Sequence, residues 1–293
     1  MTKRALAALS TAVALSGCMS VNVSEDAFFY PDSRLKAENI VLPAGRPTAQ
    51  AAETMTLSYA GGVVGATRVR TGRADAPLIL FCGGNMFRRS NGAGSVAEKL
   101  SPLGDVLMFD YPGYGDTQGT ADYASFYAAG EVVAQTARAQ ANAEGRRLIG
   151  WGHSLGGPVC AAAAAFARAN ALVLETTTPS ARAAVNAQIG WLRPLVRVHL
   201  APQLGSIDVP ETLRGYAGQV VVLEAGRDRT LSPSLSRRLA RELQAEGVAV
   251  QRLVFPQADH QTVDDQPDFR PRLAAALNLP LWTSRPRAPK PRP

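Results

Sequence analysis

Six short apolar runs recur between residues 77 and 255: "PLILFC", "DVLMFD", "RRLIGWG", "ALVLE", "QVVVLEAG" and "VAVQRLVF". Each has the length of a strand and lacks the polar alternation of a half-exposed one, so each reads as a strand buried on both faces. The stretches between them are helical in character. Residues 92–102 read as a short helix, 121–143 as an Ala-rich helix without proline, "GGPVCAAAAAFARA" as a third and 232–246 as a fourth, with a last helix at 267–277. Residues 180–218 are irregular, with short helical pieces. Strands alternating with helices predict a mostly parallel sheet covered on both faces, the α/β class. Upstream, "ETMTLSYA" and "VVGATRVR" flank Gly61-Gly62 and predict a hairpin that adds an antiparallel edge. No internal repeat or composition break divides this body, so residues 45–282 are expected to form one domain.

Ligands of such sheets bind beyond the carboxyl ends of the strands. The residues at those ends are therefore the informative ones. After "RRLIGWG" comes Gly152-His153-Ser154-Leu155-Gly156, and the Ala-rich helix follows at once. A Gly-x-Ser-x-Gly between a strand and a helix predicts a sharp turn that holds the serine hydroxyl clear of the sheet. The flanking glycines allow the backbone to fold back without a Cβ clash. The helix N-terminus favours negative charge there, and Pro158 sits in the first turn, where its missing N–H costs little.

A serine hydroxyl is a weak nucleophile without a base. The chain has three histidines. His153 adjoins the serine, but the turn should aim it elsewhere. His199 lies in the irregular segment and reads as a surface residue. His260 follows the last strand in "FPQADHQTV" and is the expected base. The acid that orients it is expected to be Asp228, just past "QVVVLEAG". Glu175, at the end of "ALVLE", is the rival. Asp259 is too close in sequence to reach around to the imidazole, and Asp264 and Asp265 read as surface residues. For the oxyanion, one donor is expected from the N–H of Leu155. The other is expected from the glycine-rich loop "GGNMFRRS", with Asn85 first and Met86 second. The chain order Ser154, Asp228, His260 is that of nucleophile, acid and base in one class of serine hydrolase.

At this point the chain resembles the α/β-hydrolase superfamily over residues 50–278. "LILFCGGNM" is similar to the family's strand ending in His-Gly-Asn, with Gly83 in place of the histidine. "VLMFDYPGYGDTQG" resembles the segment after the next strand, and "GWGHSLGG" and "GRDRTLSP" complete the set. The resemblance is to small-lid serine hydrolases that include esterases and acyl-protein thioesterases. It implies the α/β-hydrolase fold and a few helices over residues 180–218 bordering an acyl pocket. Trp191, Leu192 and Leu195 are candidate lining there, or core.

The N-terminus carries an address. "MTKRALAALSTAVALSGCMS" has a basic start, an apolar run too short to span a bilayer, and small residues after it, the layout of a secretory signal peptide over residues 1–17. "LSGC" resembles a bacterial lipobox, which implies cleavage before Cys18 and its acylation; several chains together anchor stably. Met19 in place of Asp implies the outer membrane, with the body in the periplasm. Residues 18–44 read as a polar, lipidated tether whose "AFFYP" tucks against the body.

The formal charge of +7 suggests nucleic acid until it is located. Lys3 and Arg4 carry +2 of it, and Arg285, Arg287, Lys290 and Arg292 in the Pro-rich tail, residues 283–293, carry +4. The body retains only +1, so no basic face and no nucleic-acid partner are expected. The tail cannot build a core and reads as disordered. Cys82 and Cys160 are read as buried thiols, with a bridge as the other possibility. No Cys/His cluster has metal-ligand spacing, so no metal or cofactor is expected.

The expected function is hydrolysis of a carboxylic ester or thioester through an acyl-enzyme. The expected partners are a small acyl substrate and, through Cys18, a membrane; the body is read as a monomer. Two other readings stand: a peptidase or amidase on the same residues, and an envelope lipoprotein that uses the fold only for binding.

Overall fold

The structure, a computed structural model, describes residues 19–48 and 50–280. The signal peptide, Cys18 and the basic tail lie outside the described residues. In chain order the elements are β1 (Met19–Val23), α1 (Asp32–Ala37), β2 (Ala51–Tyr59), β3 (Gly62–Arg70), β4 (Leu78–Cys82), α2 (Arg89–Leu100), β5 (Asp105–Phe109), α3 (Tyr123–Ala143), β6 (Leu148–His153), α4 (Gly156–Phe166), β7 (Ala171–Glu175), α5 (Ala181–Ile189), β8 (Val196–Leu200), α6 (Pro202–Gly205), α7 (Val209–Thr212), β9 (Gln219–Ala225), α8 (Pro233–Ala245), β10 (Val250–Phe255) and α9 (Phe269–Leu277).

The main sheet has the order β10-β9-β7-β6-β4-β5-β3-β2. Every pair from β10 to β5 is parallel, and β3 and β2 close one edge antiparallel. The apolar runs are buried on both faces because the pleat sends alternate side chains to opposite cores. In β4, Leu78, Leu80 and Cys82 enter the core under α3 and α4. Ile79 and Phe81 enter the core on the other face, where Trp151 meets Phe269 of α9. This is the α/β-hydrolase fold that the alternation of strands and helices predicts, with the hairpin as its antiparallel edge. Cys82 and Cys160 are buried free thiols, and burial next to Cys160 pushes the Cys82 thiol well up.

The segment read as a tether is folded onto the body. Met19–Val23 pairs parallel with Val196–Leu200 in a second, two-stranded sheet. The signal was present in "VRVHL", whose Val196, Val198 and Leu200 are half-buried while Arg197 and His199 are exposed. Past β1, Phe29 is buried between Tyr123 and Phe126, so the "AFFYP" aromatics do pack against the body. No helix among the described residues is long and apolar enough to cross a membrane.

Candidate active site

Ser154 lies between β6 and α4 with φ of 52°, in the left-handed region that non-glycine residues rarely occupy. Three contacts hold it in that conformation. Its N–H donates to the Glu175 carbonyl at 2.9 Å, and its own carbonyl accepts from the Gly157 N–H at 3.0 Å and from Thr177 Oγ1 at 2.7 Å. The turn closes only because of its glycines. A Cβ on Gly156 would stand 2.2 Å from the Cys82 carbonyl oxygen, and one on Gly152 would stand 2.7 Å from the Gly156 carbonyl. That close approach brings the N-terminus of α4 against the end of β4.

His260, in the loop after β10, reaches this turn. Its Nε2 is 3.0 Å from Ser154 Oγ and its Nδ1 is 2.7 Å from Asp228 Oδ2. Asp228 follows β9 and is buried. Its Oδ1 accepts from the N–H groups of Thr230 and Leu231, both at 2.8 Å. One carboxylate oxygen thus fixes the turn and leaves the other for the imidazole. With Nδ1–H donating to the carboxylate, Nε2 is the acceptor for the serine hydroxyl. The backbone of His260 is held too: its carbonyl accepts from Thr176 Oγ1 at 3.4 Å and lies 3.2 Å from His153 Nε2.

The other candidates are placed elsewhere. The Glu175 carboxylate is buried, with Lys99 Nζ at 2.6 and 2.7 Å and Trp151 Nε1 at 2.8 Å. Burial alone would raise its pKa, but Lys99, His153 and the two donors outweigh that and lower it. His153 faces Gly84 and His260, and burial pushes its pKa down to about 4. It is neutral at ordinary pH, so its Nε2–H donates to the His260 carbonyl. Asp259 caps its own turn through the Gln261 N–H and Thr262. His199 and Asp265 are exposed, whereas Asp264 is half-buried, 3.4 Å from Lys99, and not the surface residue expected.

Leu155 and Asn85 line one cavity together with Ser154. Neither N–H is taken by a carbonyl among the described residues. The loop carrying Asn85 is braced by residues that sequence reasoning missed. The Asn85 side chain accepts from the Tyr30 N–H at 3.0 Å and from the Tyr114 hydroxyl at 2.8 Å, and donates to the Phe28 carbonyl. Arg88 is buried, lies over the Tyr114 ring, and binds the Asn85 and Tyr30 carbonyls and Asp32. The Tyr111 hydroxyl donates to the Gly83 carbonyl at 3.0 Å. Little in the sequence flagged these, since the strap of residues 28–32 that they grip read as tether.

Two cavities meet at Ser154. One, of about 530 Å³, is walled by Val23, Phe28, Leu155, Val185, Ile189 and Leu231 and is largely apolar. The other, of about 560 Å³, is bordered by His260 and carries Asn91, Ser95, Lys99, Gln261 and Asp264. Trp191, Leu192 and Leu195 are at neither cavity and in neither core. They are 84%, 40% and 56% exposed, because the Gly190–Leu195 turn projects outward after the left-handed Gly190. The pocket wall expected from them comes instead from α5 and the N-terminal strap. Among the described residues no three His, Cys, Asp or Glu side chains are placed to hold a metal ion.

Comparison with known proteins agrees with this architecture. The sequence model of the alpha/beta hydrolase family matches residues 78–270. Uncharacterized protein Rv2307c of Mycobacterium tuberculosis is 32% identical over 200 residues, 68% of this chain and 67% of that protein. The structure of the Pyrococcus furiosus esterase Pf2001 superposes with a TM-score of 0.63 at 14% identity, covering 81% of this chain and 96% of that one. The Pyrobaculum calidifontis esterase gives 0.56 at 16% identity, covering 79% and 85%. At those identities the solved structures show a shared fold. With the family match over most of the sheet and the site, the chain belongs to the alpha/beta hydrolase family.

Proposed function

We propose that the protein is a serine hydrolase that cleaves a carboxylic ester or thioester through an acyl-enzyme. The observation that carries this reading is the continuous chain from Ser154 Oγ through the His260 imidazole to the Asp228 carboxylate, with steps of 3.0 and 2.7 Å. His260 Nε2 takes the serine proton as Oγ attacks the acyl carbonyl. Asp228 holds the Nδ1–H tautomer and stabilises the imidazolium that forms. The Leu155 and Asn85 N–H groups receive the oxyanion, assisted by the N-terminus of α4. The imidazolium then protonates the departing alcohol or thiol. A water, deprotonated by the same nitrogen, releases the acid and restores Ser154.

The apolar cavity suits the acyl chain, and the more polar one suits the leaving group. The lipobox-like "LSGC" supports acylation of Cys18, and Met19 in place of Asp supports a place at the periplasmic face of the outer membrane. A series of p-nitrophenyl esters of increasing acyl length tests the reading. Each methylene buried adds up to about 0.8 kcal/mol, roughly fourfold in kcat/KM, until the cavity is full. Matched acyl thioesters and aminoacyl anilides separate ester, thioester and amide chemistry. Turnover of anilides alone, or turnover that survives Ser154→Ala, contradicts the proposal.

A further inference from the structure

The elements beside the apolar cavity have a face with no partner among the described residues. Trp191 is 84% exposed, and Leu192, Leu195 and Val21 add exposed apolar surface. Three exposed apolar side chains grouped within one six-residue turn are a candidate interaction surface. The segments that carry it are basic, with the acids Glu25, Asp26 and Asp208 only beyond their ends. Residues 181–207 hold Arg182, Arg193 and Arg197 and no Asp or Glu, and β1 has no acid either. The register of the small sheet fixes where the chain enters. Met19 stands opposite Val196, the residue after Leu195, so Cys18 attaches one residue before a strand that starts alongside the Gly190–Leu195 turn.

We propose that the Gly190–Leu195 turn and the β1–β8 edge dock onto an anionic lipid bilayer, so that the apolar cavity opens toward the membrane. The orientation rests on Cys18 being acylated: consecutive Cα atoms are about 3.8 Å apart, so acyl chains on Cys18 hold the start of β1 at the headgroups. The turn beside it then meets the interfacial layer. Trp191 suits that layer, where an amphipathic ring is favoured, and Arg193 and Arg197 suit its phosphates. Val21 of β1 and Ile189 of α5, next to the turn, also line the cavity at Ser154. An acyl substrate in the bilayer therefore has a short apolar path to the nucleophile.

The test uses the processed chain from residue 18 onward with Cys18→Ser, so that no acyl chain contributes. It is mixed with phosphatidylethanolamine–phosphatidylglycerol vesicles and with phosphatidylcholine vesicles, and binding is read by co-sedimentation. The docking surface predicts salt-sensitive binding to the anionic vesicles. Partitioning should be about tenfold or more weaker in Trp191→Ser/Leu192→Ser/Leu195→Ser and several-fold weaker in Arg193→Gln/Arg197→Gln. Melting and turnover of a soluble short-chain ester should be unchanged in both variants. Equal vesicle binding by parent and variants, or no binding by the parent, overturns the proposal. So does a parent dimer that the triple variant dissolves, since the occupant is then a second copy. Binding is read without activity, so failure of the hydrolase reading shows separately, as absent ester turnover. Failure of the lipidation reading shows as an unmodified Cys18 in the mass of the native protein.

Discussion

The side-chain amide of Asn85 donates to the carbonyl of Phe28, which ties the loop after β4 to a strap 57 residues earlier in the chain. The same side chain accepts from the Tyr30 N–H and the Tyr114 hydroxyl. Asn85 thus spends its side chain on bracing, and its backbone N–H has no carbonyl partner among the described residues.

Asn85→Ala should accordingly act through position as well as stability. It removes three hydrogen bonds, taking an acceptor from the Tyr114 hydroxyl and a donor from the Phe28 carbonyl, while the Tyr30 N–H keeps the Tyr114 hydroxyl at 2.8 Å; the cost is about 2–3 kcal/mol. The unfolding midpoint should fall by several degrees, and kcat should fall while Ser154 remains able to react with a fluorophosphonate. An unchanged midpoint would show that the strap is not held by this residue.

His153 and His260 should separate sharply. His260→Ala removes the proposed base and should lower kcat by about three orders of magnitude or more. His153→Ala removes a donor to the His260 carbonyl at 3.2 Å and the packing of its ring against His260, but no proton acceptor for Ser154, and should cost about tenfold or less. Steady-state turnover of one soluble ester by both variants checks this; a larger loss for His153→Ala would reverse the assignment.

Much of this candidate site was legible because it is local. Ser154 is announced by Gly152 and Gly156 between a strand and a helix, and Asp228 and His260 each follow an apolar run. The preference for Asp228 over Glu175 became physical only in three dimensions, where Lys99 and Trp151 take the Glu175 carboxylate. The fold was legible from the buried runs, whose hydrophobicity is continuous. The β1–β8 pair was not, since its five-residue strands are far apart in sequence and half exposed. Trp191, Leu192 and Leu195 were misjudged because hydrophobicity alone does not say which way a six-residue turn projects.

Acid should destabilise the fold chiefly below pH 4.5, because two buried groups oppose one another above that. Burial lowers His153 to about 4, below its ordinary 6.5, so the unfolded chain takes up that proton first and stability falls as pH drops from 6.5 toward 4. Asp110 runs the other way: burial raises it to about 6, so its protonation favours the folded chain between about pH 6 and 4. The hydrogen bond from Arg68 lowers Glu144 from 4.5 to about 2. Its contribution is complete above 4.5 and is lost as pH falls toward 2. The midpoint difference between parent and Glu144→Gln should therefore be full at pH 6 and shrink below 4.5. A difference that grows on acidification would contradict the sign.

Gly156→Ala should be destabilising by about 1–3 kcal/mol or more. The new Cβ meets the carbonyl oxygens of Cys82 and Gly83 at 2.2 and 2.5 Å, and backbone atoms cannot swing aside. Gly205→Ala has nothing within 4 Å and is the matched control. Denaturant midpoints compare the two, and equal values would refute the close-packed turn.

The central claim is that Ser154 is a nucleophile activated by His260. Fluorophosphonate labelling of the intact protein, mapped by peptide mass spectrometry, tests it most directly. The account predicts one adduct, on Ser154, formed far more slowly in His260→Ala and absent in Ser154→Ala, with loss of ester turnover in step with labelling. Folded protein that turns over esters with Ser154 unlabelled, or that keeps its turnover in Ser154→Ala, would contradict it.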